Sequence, residues 1–158
     1  MDARVHKRVQ RYGWDLASND YDSLWQEQLA PARAGMLDLA ALAPGEHVLD
    51  LACGTGIATL DAARAVGSTG TVVGTDLSGQ MVEVAQQRAA EQQLSNVTFA
   101  RMDAETLDLP DATFDIVLCS LGLMYLPDPQ RAVSEWLRVL KPGGRVAIAI
   151  WGKRANCG

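Results

Sequence analysis

Two runs late in the chain constrain its fold more than any other feature: Phe114 to Ser120 and Gly144 to Trp151 are almost continuously apolar. A strand with one wet face alternates apolar and polar residues, whereas a continuous run fits a parallel strand covered by helices on both sides. The punctuation elsewhere agrees. His47 to Ala52 is a short β-rich run, and Gly54 and Gly56 directly after it lead into an alanine-rich helical stretch, Ile57 to Val66. Gly67 to Gly70 is a turn, Thr71 to Asp76 reads as a second strand, and Ser78 is placed to cap a helix from Gly79 to about Gln93. Val97 to Arg101 reads as strand three, ahead of the two apolar runs as strands four and five. Between those two, Asp128-Pro129 has the N-cap and first-turn chemistry of a helix that ends at Lys141-Pro142-Gly143-Gly144. The alternation predicts an α/β fold with a doubly wound, mostly parallel sheet and helices on both faces. Its ligand crevice then lies outside the carboxyl ends of the strands, where the strand order reverses.

The first forty residues stand apart from this repeat. From Asp22 to Ala43 the apolar positions Leu24, Trp25, Leu29, Met36, Leu37, Leu39 and Leu42 recur at roughly helical spacing, and Pro31 is expected to break or kink the run. Lys7, Arg8 and Arg11 sit close together and read as a solvated helix face. Tyr12, Trp14, Tyr21 and Trp25 read either as the aromatic wall of a lid or as helix-on-sheet packing.

Bulk properties exclude several classes of function. The chain has 158 residues, 48% of them hydrophobic and 21% charged, which suits one globular domain with a core of its own. Fourteen basic against nineteen acidic side chains leave a net charge of -5, so no overall positive field gathers phosphate backbones, and no nucleic-acid partner is expected. Cys53, Cys119 and Cys157 are odd in number and lack the paired spacing of a zinc site or a disulfide framework, so they read as reduced thiols with no metal. No apolar stretch is long enough to span a membrane and the N-terminus is polar, which makes a cytoplasmic location the expectation.

The sharpest chemical signal is Val48-Leu49-Asp50-Leu51-Ala52-Cys53-Gly54-Thr55-Gly56, a strand that ends in a glycine turn before a helix. Glycine lets a backbone approach a ligand closely, although the same pattern also serves a plain tight turn. Asp76 lies twenty residues after Gly56 at the end of strand two, where a carboxylate can accept both ribose hydroxyls of an adenosine. Asp103 follows strand three, with Ala104 and Glu105 after it, and an acid at that edge could accept a bond from an adenine amine. Ser120 ends strand four and faces the same crevice.

These segments resemble the successive motifs of one family. Asp50-Leu51-Ala52-Cys53-Gly54-Thr55-Gly56, Gly74-Thr75-Asp76-Leu77-Ser78, Arg101-Met102-Asp103-Ala104-Glu105, Phe114-Asp115-Ile116-Val117 and Arg138-Val139-Leu140-Lys141-Pro142-Gly143-Gly144 are similar, in order, to those of class I S-adenosylmethionine-dependent methyltransferases. The likeness runs from about His47 to Trp151 and is strongest to the small-molecule methylases that include the ubiquinone and menaquinone biosynthesis enzymes. It implies a Rossmann-like domain over 46–158, preceded by a helical lid over 1–45, with S-adenosylmethionine as cofactor and a small molecule as methyl acceptor. By the resemblance, Cys53, Gly54, Thr55 and Gly56 hold the methionine end, Ala52 offers its carbonyl to the ammonium, and Asp50 shapes the turn and adds negative potential. Asp76 takes the ribose, Leu77 and Met81 flank the adenine or simply fill core, Asp103 with Ala104 reads the adenine edge, and Ser120 closes the methionine side. After strand four, Ser120-Leu121-Gly122-Leu123 departs from the Asn-Pro-Pro-Tyr motif of many amino-group methylases of nucleic acids and proteins.

Methyl transfer from a sulfonium needs no protein nucleophile, so no catalytic cysteine is assigned: Cys53 and Cys119 read as small buried residues and Cys157 as an unactivated thiol in a polar tail. His6 and His47 are weak candidates for a general base, and the catalytic residue stays unassigned. A non-catalytic S-adenosylmethionine-binding module is the alternative from another class. A nicotinamide-dependent dehydrogenase shares the glycine turn and distal aspartate, but its fingerprint wants a third small residue where this chain has Thr59. Complete members of the resembled family have seven strands, so the five here lead us to expect two C-terminal strands to be lacking. Strand five would then present an open edge, guarded by Arg145, Lys153 and Arg154, through which a homodimer could form or over which the N-terminal segment could fold.

Overall fold

The computed structural model describes residues 2–152. Lys153, Arg154 and Cys157 lie outside the described residues.

Five strands form one sheet: β1 His47–Leu51, β2 Thr71–Asp76, β3 Val97–Arg101, β4 Phe114–Ser120 and β5 Leu140–Ala149. They stand in the order β3-β2-β1-β4-β5, and every neighbouring pair is parallel. The order reverses between β1 and β4, which puts the expected crevice at their carboxyl ends. Leu51 is level with Thr75, and Asp76 with Arg101, so the ends of β1, β2 and β3 open onto one rim.

The apolar runs do what their continuity predicts. Along β1 and β4, Val48, Ile116 and Leu118 join the core on one face, under α2 (Tyr21–Ala40), α3 (Ile57–Val66) and α4 (Gly79–Glu91). Leu49, Leu51, Val117 and Cys119 join the other, where Trp136 of α5 (Pro129–Val139) is wholly buried. A fully buried aliphatic side chain is worth about 1.5–3 kcal/mol, and β1 and β4 bury such side chains on both faces. Ser78 and Asp128 cap α4 and α5 by accepting from Met81 N (3.1 Å) and Arg131 N (3.0 Å).

Two local expectations need correction. Strand five spans Leu140–Ala149 rather than 144–151: Phe114 pairs with Leu140, but Ile116 already pairs with Arg145. Lys141-Pro142-Gly143-Gly144 is therefore a bulge inside the strand, which Gly143 at φ 82 permits, and Trp151 lies past the last pairing. Pro31 does not divide α2, which runs as one helix of 20 residues. Pro31 and Glu27 are both exposed, so water can serve the carbonyl that the ring leaves without a donor. The first residues form a helix, α1 (Ala3–Ala17), capped by Asp2, which accepts from Arg4 N at 2.7 Å. Val5, Val9, Tyr12 and Leu16 line its exposed side, and its opposite side lies over the rim of the sheet.

Candidate functional site

The rim opens into a cavity of about 330 Å³, beside a smaller one of about 80 Å³ that shares Ala52, Gly54, Ser120 and Leu121 as walls. The larger volume falls in the range of small-ligand pockets, roughly 300–1,000 Å³. Two residues at its floor carry left-handed backbone without being glycine: Ala52 after β1 (φ 53) and Leu121 after β4 (φ 58). Such strain costs on the order of 1–3 kcal/mol and collects where a ligand dictates backbone shape. Gly122 completes the contact, since a Cβ there would come within 2.5 Å of the Ala52 Cβ.

The glycine turn is tied to strand two by its own amides. Cys53 N donates to Thr75 O (3.0 Å), and Gly54 N donates to Asp76 Oδ2 (2.9 Å). Gly56 sits behind the cavity at φ 82 and starts α3 against Ala85 and Phe99. Thr55 Oγ1 donates to Asp22 Oδ1 (2.7 Å), and Asp22 also pairs with Arg88, which fastens α2 and α4 to the turn.

Asp76 is 8% exposed. Its Oδ1 accepts from Ser78 N (2.8 Å), so each carboxylate oxygen holds one backbone amide and keeps a lone pair for another donor. Burial pushes its pKa above the ordinary value against the pull of those amides. Asp50 is wholly buried and is pushed up to about 7 by burial, although Thr59 Oγ1 donates to its Oδ2 at 2.6 Å. Burial likewise raises the Cys53 thiol, and Cys119 is pushed up to about 12, so both stay protonated; Cys119 is buried as expected, whereas Cys53 is only half-buried.

At the far wall, Asp103 Oδ1 accepts from Glu105 N (2.9 Å) and its Oδ2 from Lys7 Nζ (2.7 Å). Lys7 also meets Glu105 Oε2 at 2.5 Å. Burial pulls the Lys7 ammonium down, but its bonds to the two acids outweigh that and its pKa ends above the usual lysine value. Ala104 O accepts from Trp136 Nε1 (3.0 Å), which anchors this wall in the core.

The structure brings eleven of the twelve expected residues to the two cavities. Ala52, Gly54, Asp76, Leu77, Met81, Asp103, Ala104 and Ser120 line the larger one, and Asp50, Cys53 and Thr55 line the smaller; Gly56 lines neither. Met81 is both wall and core, at 2% exposure. Three readings change. Lys7 is not a solvated residue but a buttress of the acidic wall, and Tyr12 is 64% exposed on the outer side of α1. Thr59, which stood where a dehydrogenase wants a small residue, is a buried donor to Asp50. Sequence reasoning also missed Gln10 and Tyr125. Lys7, Gln10 and Trp14 recur at helical spacing, and that signal could have found the inner face of α1. Trp14 packs edge-on against Tyr21 (5.9 Å) and Tyr125 (5.3 Å). His47 lies at the opposite end of the sheet beside Thr71 (3.2 Å), and His6 does not line the cavity. Among the described residues no cluster of three metal-ligating side chains occurs, and no helix is long and apolar enough to cross a membrane.

Comparison with known proteins accounts for this arrangement. A family model described as a methyltransferase domain matches residues 48–144, more than half of the chain. The chain is 37% identical over 148 residues to aklanonic acid methyltransferase DauC of a Streptomyces species, covering 94% of itself and 67% of that protein. It is 40% identical over 143 residues to the ubiquinone/menaquinone biosynthesis C-methyltransferase UbiE of Ectopseudomonas mendocina, covering 90% of itself and 53% of that relative. It thus spans about half to two thirds of the length of the curated relatives it matches. Among solved structures, a SAM dependent methyltransferase from Aquifex aeolicus superposes with a TM-score of 0.73 at 29% identity, covering 77% of this chain and 65% of the other. With the strand order, the glycine turn and the acid at the end of β2 in place, the chain belongs to the S-adenosylmethionine-dependent methyltransferase family.

Proposed function

We propose that the chain holds S-adenosylmethionine at the carboxyl ends of its strands and that the whole protein passes the methyl group to a small, largely apolar acceptor. Asp76 carries the reading: a buried carboxylate, fixed by two backbone amides, with lone pairs left for a ribose diol. Around it, Cys53, Gly54, Thr55 and Gly56 hold the methionine end with the Ala52 carbonyl on its ammonium, and Asp50 supplies negative potential. Leu77 and Met81 flank the adenine, Asp103 and Ala104 read its edge, and Ser120 closes the methionine side. In-line displacement from a sulfonium draws much of its acceleration from positioning, so the reading assigns no nucleophile, and the general base that an oxygen or carbon acceptor needs stays unassigned.

The acceptor side is supported by the aromatic walls Trp14, Tyr21, Trp25, Tyr125 and Trp151, and by relatives named for aklanonic acid and for ubiquinone/menaquinone biosynthesis. Residues 1–45 act as a lid, since Lys7, Gln10 and Trp14 reach the cavity from α1. The net charge of -5 speaks against a nucleic-acid partner, and the free thiols Cys53 and Cys119 suit a cytoplasmic setting.

Titration calorimetry tests the cofactor site. Losing a hydrogen bond to a charged group costs about 1.5–3 kcal/mol, so Asp76→Ala weakens S-adenosylhomocysteine binding by roughly ten- to a hundredfold. Unchanged affinity in the variant, or tighter binding of NAD than of S-adenosylhomocysteine, overturns the assignment.

The reading extends to a two-fold dimer through β5. That strand lies at one edge of the sheet, with Ile148, Ile150 and Trp151 exposed at or beyond its end. Sedimentation velocity should show a concentration-dependent dimer. A monomer at every concentration tested, with rapid amide exchange along β5, counts against it.

A further inference from the structure

Asp50 is a buried acid with no charge to balance it. It is 1% exposed at the end of β1 and lines the smaller cavity. One carboxylate oxygen accepts from Thr59, and the other has no hydrogen-bond partner among the described residues. Among the described residues no cation pairs with it. From β2 comes Asp76, itself an acid, and from the turn and β4 come Cys53 and Cys119, thiols that burial keeps neutral. From α2, Arg33 is engaged by Asp61 at 3.3 Å, and Asp22 by Arg88. A carboxylate stripped of water in this way is costly to ionise until a cation arrives. Burial, eased by the Thr59 bond and reinforced by the charge of Asp76, accordingly pushes Asp50 up to about 7.

Resting on the cofactor reading above, we infer that Asp50 is a specificity-determining residue that separates the methyl donor from its product by charge: it gives up a proton to balance the cationic donor and regains one when the product forms. In the transfer, the sulfur–methyl bond breaks and its electron pair stays on sulfur. The acceptor atom bonds the methyl carbon, and the acceptor's own proton leaves to solvent. The cofactor thereby loses one positive charge, while its ammonium and carboxylate are unchanged. The sulfonium that made the Asp50 carboxylate tolerable is gone, a proton from solvent neutralises it, and the site's preference for the bound species falls as the product appears.

The test is the ratio of Kd for S-adenosylhomocysteine to Kd for S-adenosylmethionine as a function of pH. In the wild-type chain it rises at least about fivefold between roughly pH 5.5 and 7.5, because the deprotonated site favours the cation. In Asp50→Asn, which keeps an acceptor for Thr59, the ratio stays flat. Titration of the ligands' own amines is common to both proteins and cancels in the comparison. A second readout needs no variant: calorimetry in buffers of different ionisation enthalpy should show more protons released on binding the donor than the product near pH 7. A pH-independent ratio, or equal proton release for the two ligands, overturns the inference and leaves the cofactor site standing. Failure of both ligands to bind at any pH overturns the cofactor site and this inference together.

Discussion

Asp50 and Asp76 stand near the ends of neighbouring strands, both buried, yet they are held in different ways. Asp76 is held in place by the amides of Gly54 and Ser78, while Asp50 has a single hydroxyl partner and a bare oxygen. Backbone amides fix a carboxylate's orientation, and a missing partner leaves its protonation open to whatever arrives. The turn that sets their spacing depends on Gly56. Its φ of 82 disfavours any side chain, and an added Cβ would lie 2.8 Å from the Ala85 Cβ and 3.2 Å from the Phe99 ring. Gly56→Ala should therefore destabilise the fold by about 1–3 kcal/mol and shift the turn that carries Gly54. Urea denaturation measures the first effect and S-adenosylhomocysteine affinity the second. A variant as stable as the parent would show that the turn relaxes freely.

At the scale of elements, legibility followed the kind of force involved. The strands and α3 to α5 were readable because apolar continuity, caps and glycine turns are local signals, and Ser78 and Asp128 cap where the sequence placed them. Eleven of the twelve residues expected at the site line the cavities because the parallel topology brings every strand's carboxyl end to one rim. Strand five was misplaced by four residues at its start. Lys141-Pro142-Gly143-Gly144 carries the chemistry of a helix stop, and only pairing with Phe114 and Ile116 makes it a bulge within a strand. The role of Lys7 was illegible for a related reason: its partners Asp103 and Glu105 are remote in sequence, and a short basic run looks the same whether solvated or paired. Trp136 likewise declares its bond to Ala104 O only once α5 has packed beside the loop after β3.

At the scale of the whole molecule, buried and surface acids pull stability in opposite directions with pH. Arg138 holds Glu135 down to about 2, Arg145 lowers Glu46 and Lys141 lowers Asp115. Each of these stabilises the fold above the ordinary carboxylate range and stops doing so as pH falls through its lowered pKa. Asp50 is displaced the other way, from 3.8 to about 7, so its contribution is fullest below about 4 and is lost as pH rises through 7. Stability should peak in mildly acidic solution, near about pH 5, and Asp50→Asn should flatten the alkaline side of the curve. Urea midpoints across pH check this, and a midpoint that climbs steadily to pH 8 contradicts it.

The clasp at Arg145 has a consequence in time. Its guanidinium donates to Ala40 O (2.7 Å) and Ala41 O (3.0 Å) and pairs with Glu46, joining positions as many as 105 residues apart. Among the described residues the sheet contains no hairpin, so every strand pairing must wait for a long excursion of chain to return. Entropy of closure is spent early and contacts repay it late, and folds dominated by such pairings assemble in roughly milliseconds to seconds. Helices such as α3 can flicker into shape sooner, but the last strand to arrive sets the pace, and until it does the apolar faces of β1 and β4 stay open to other chains.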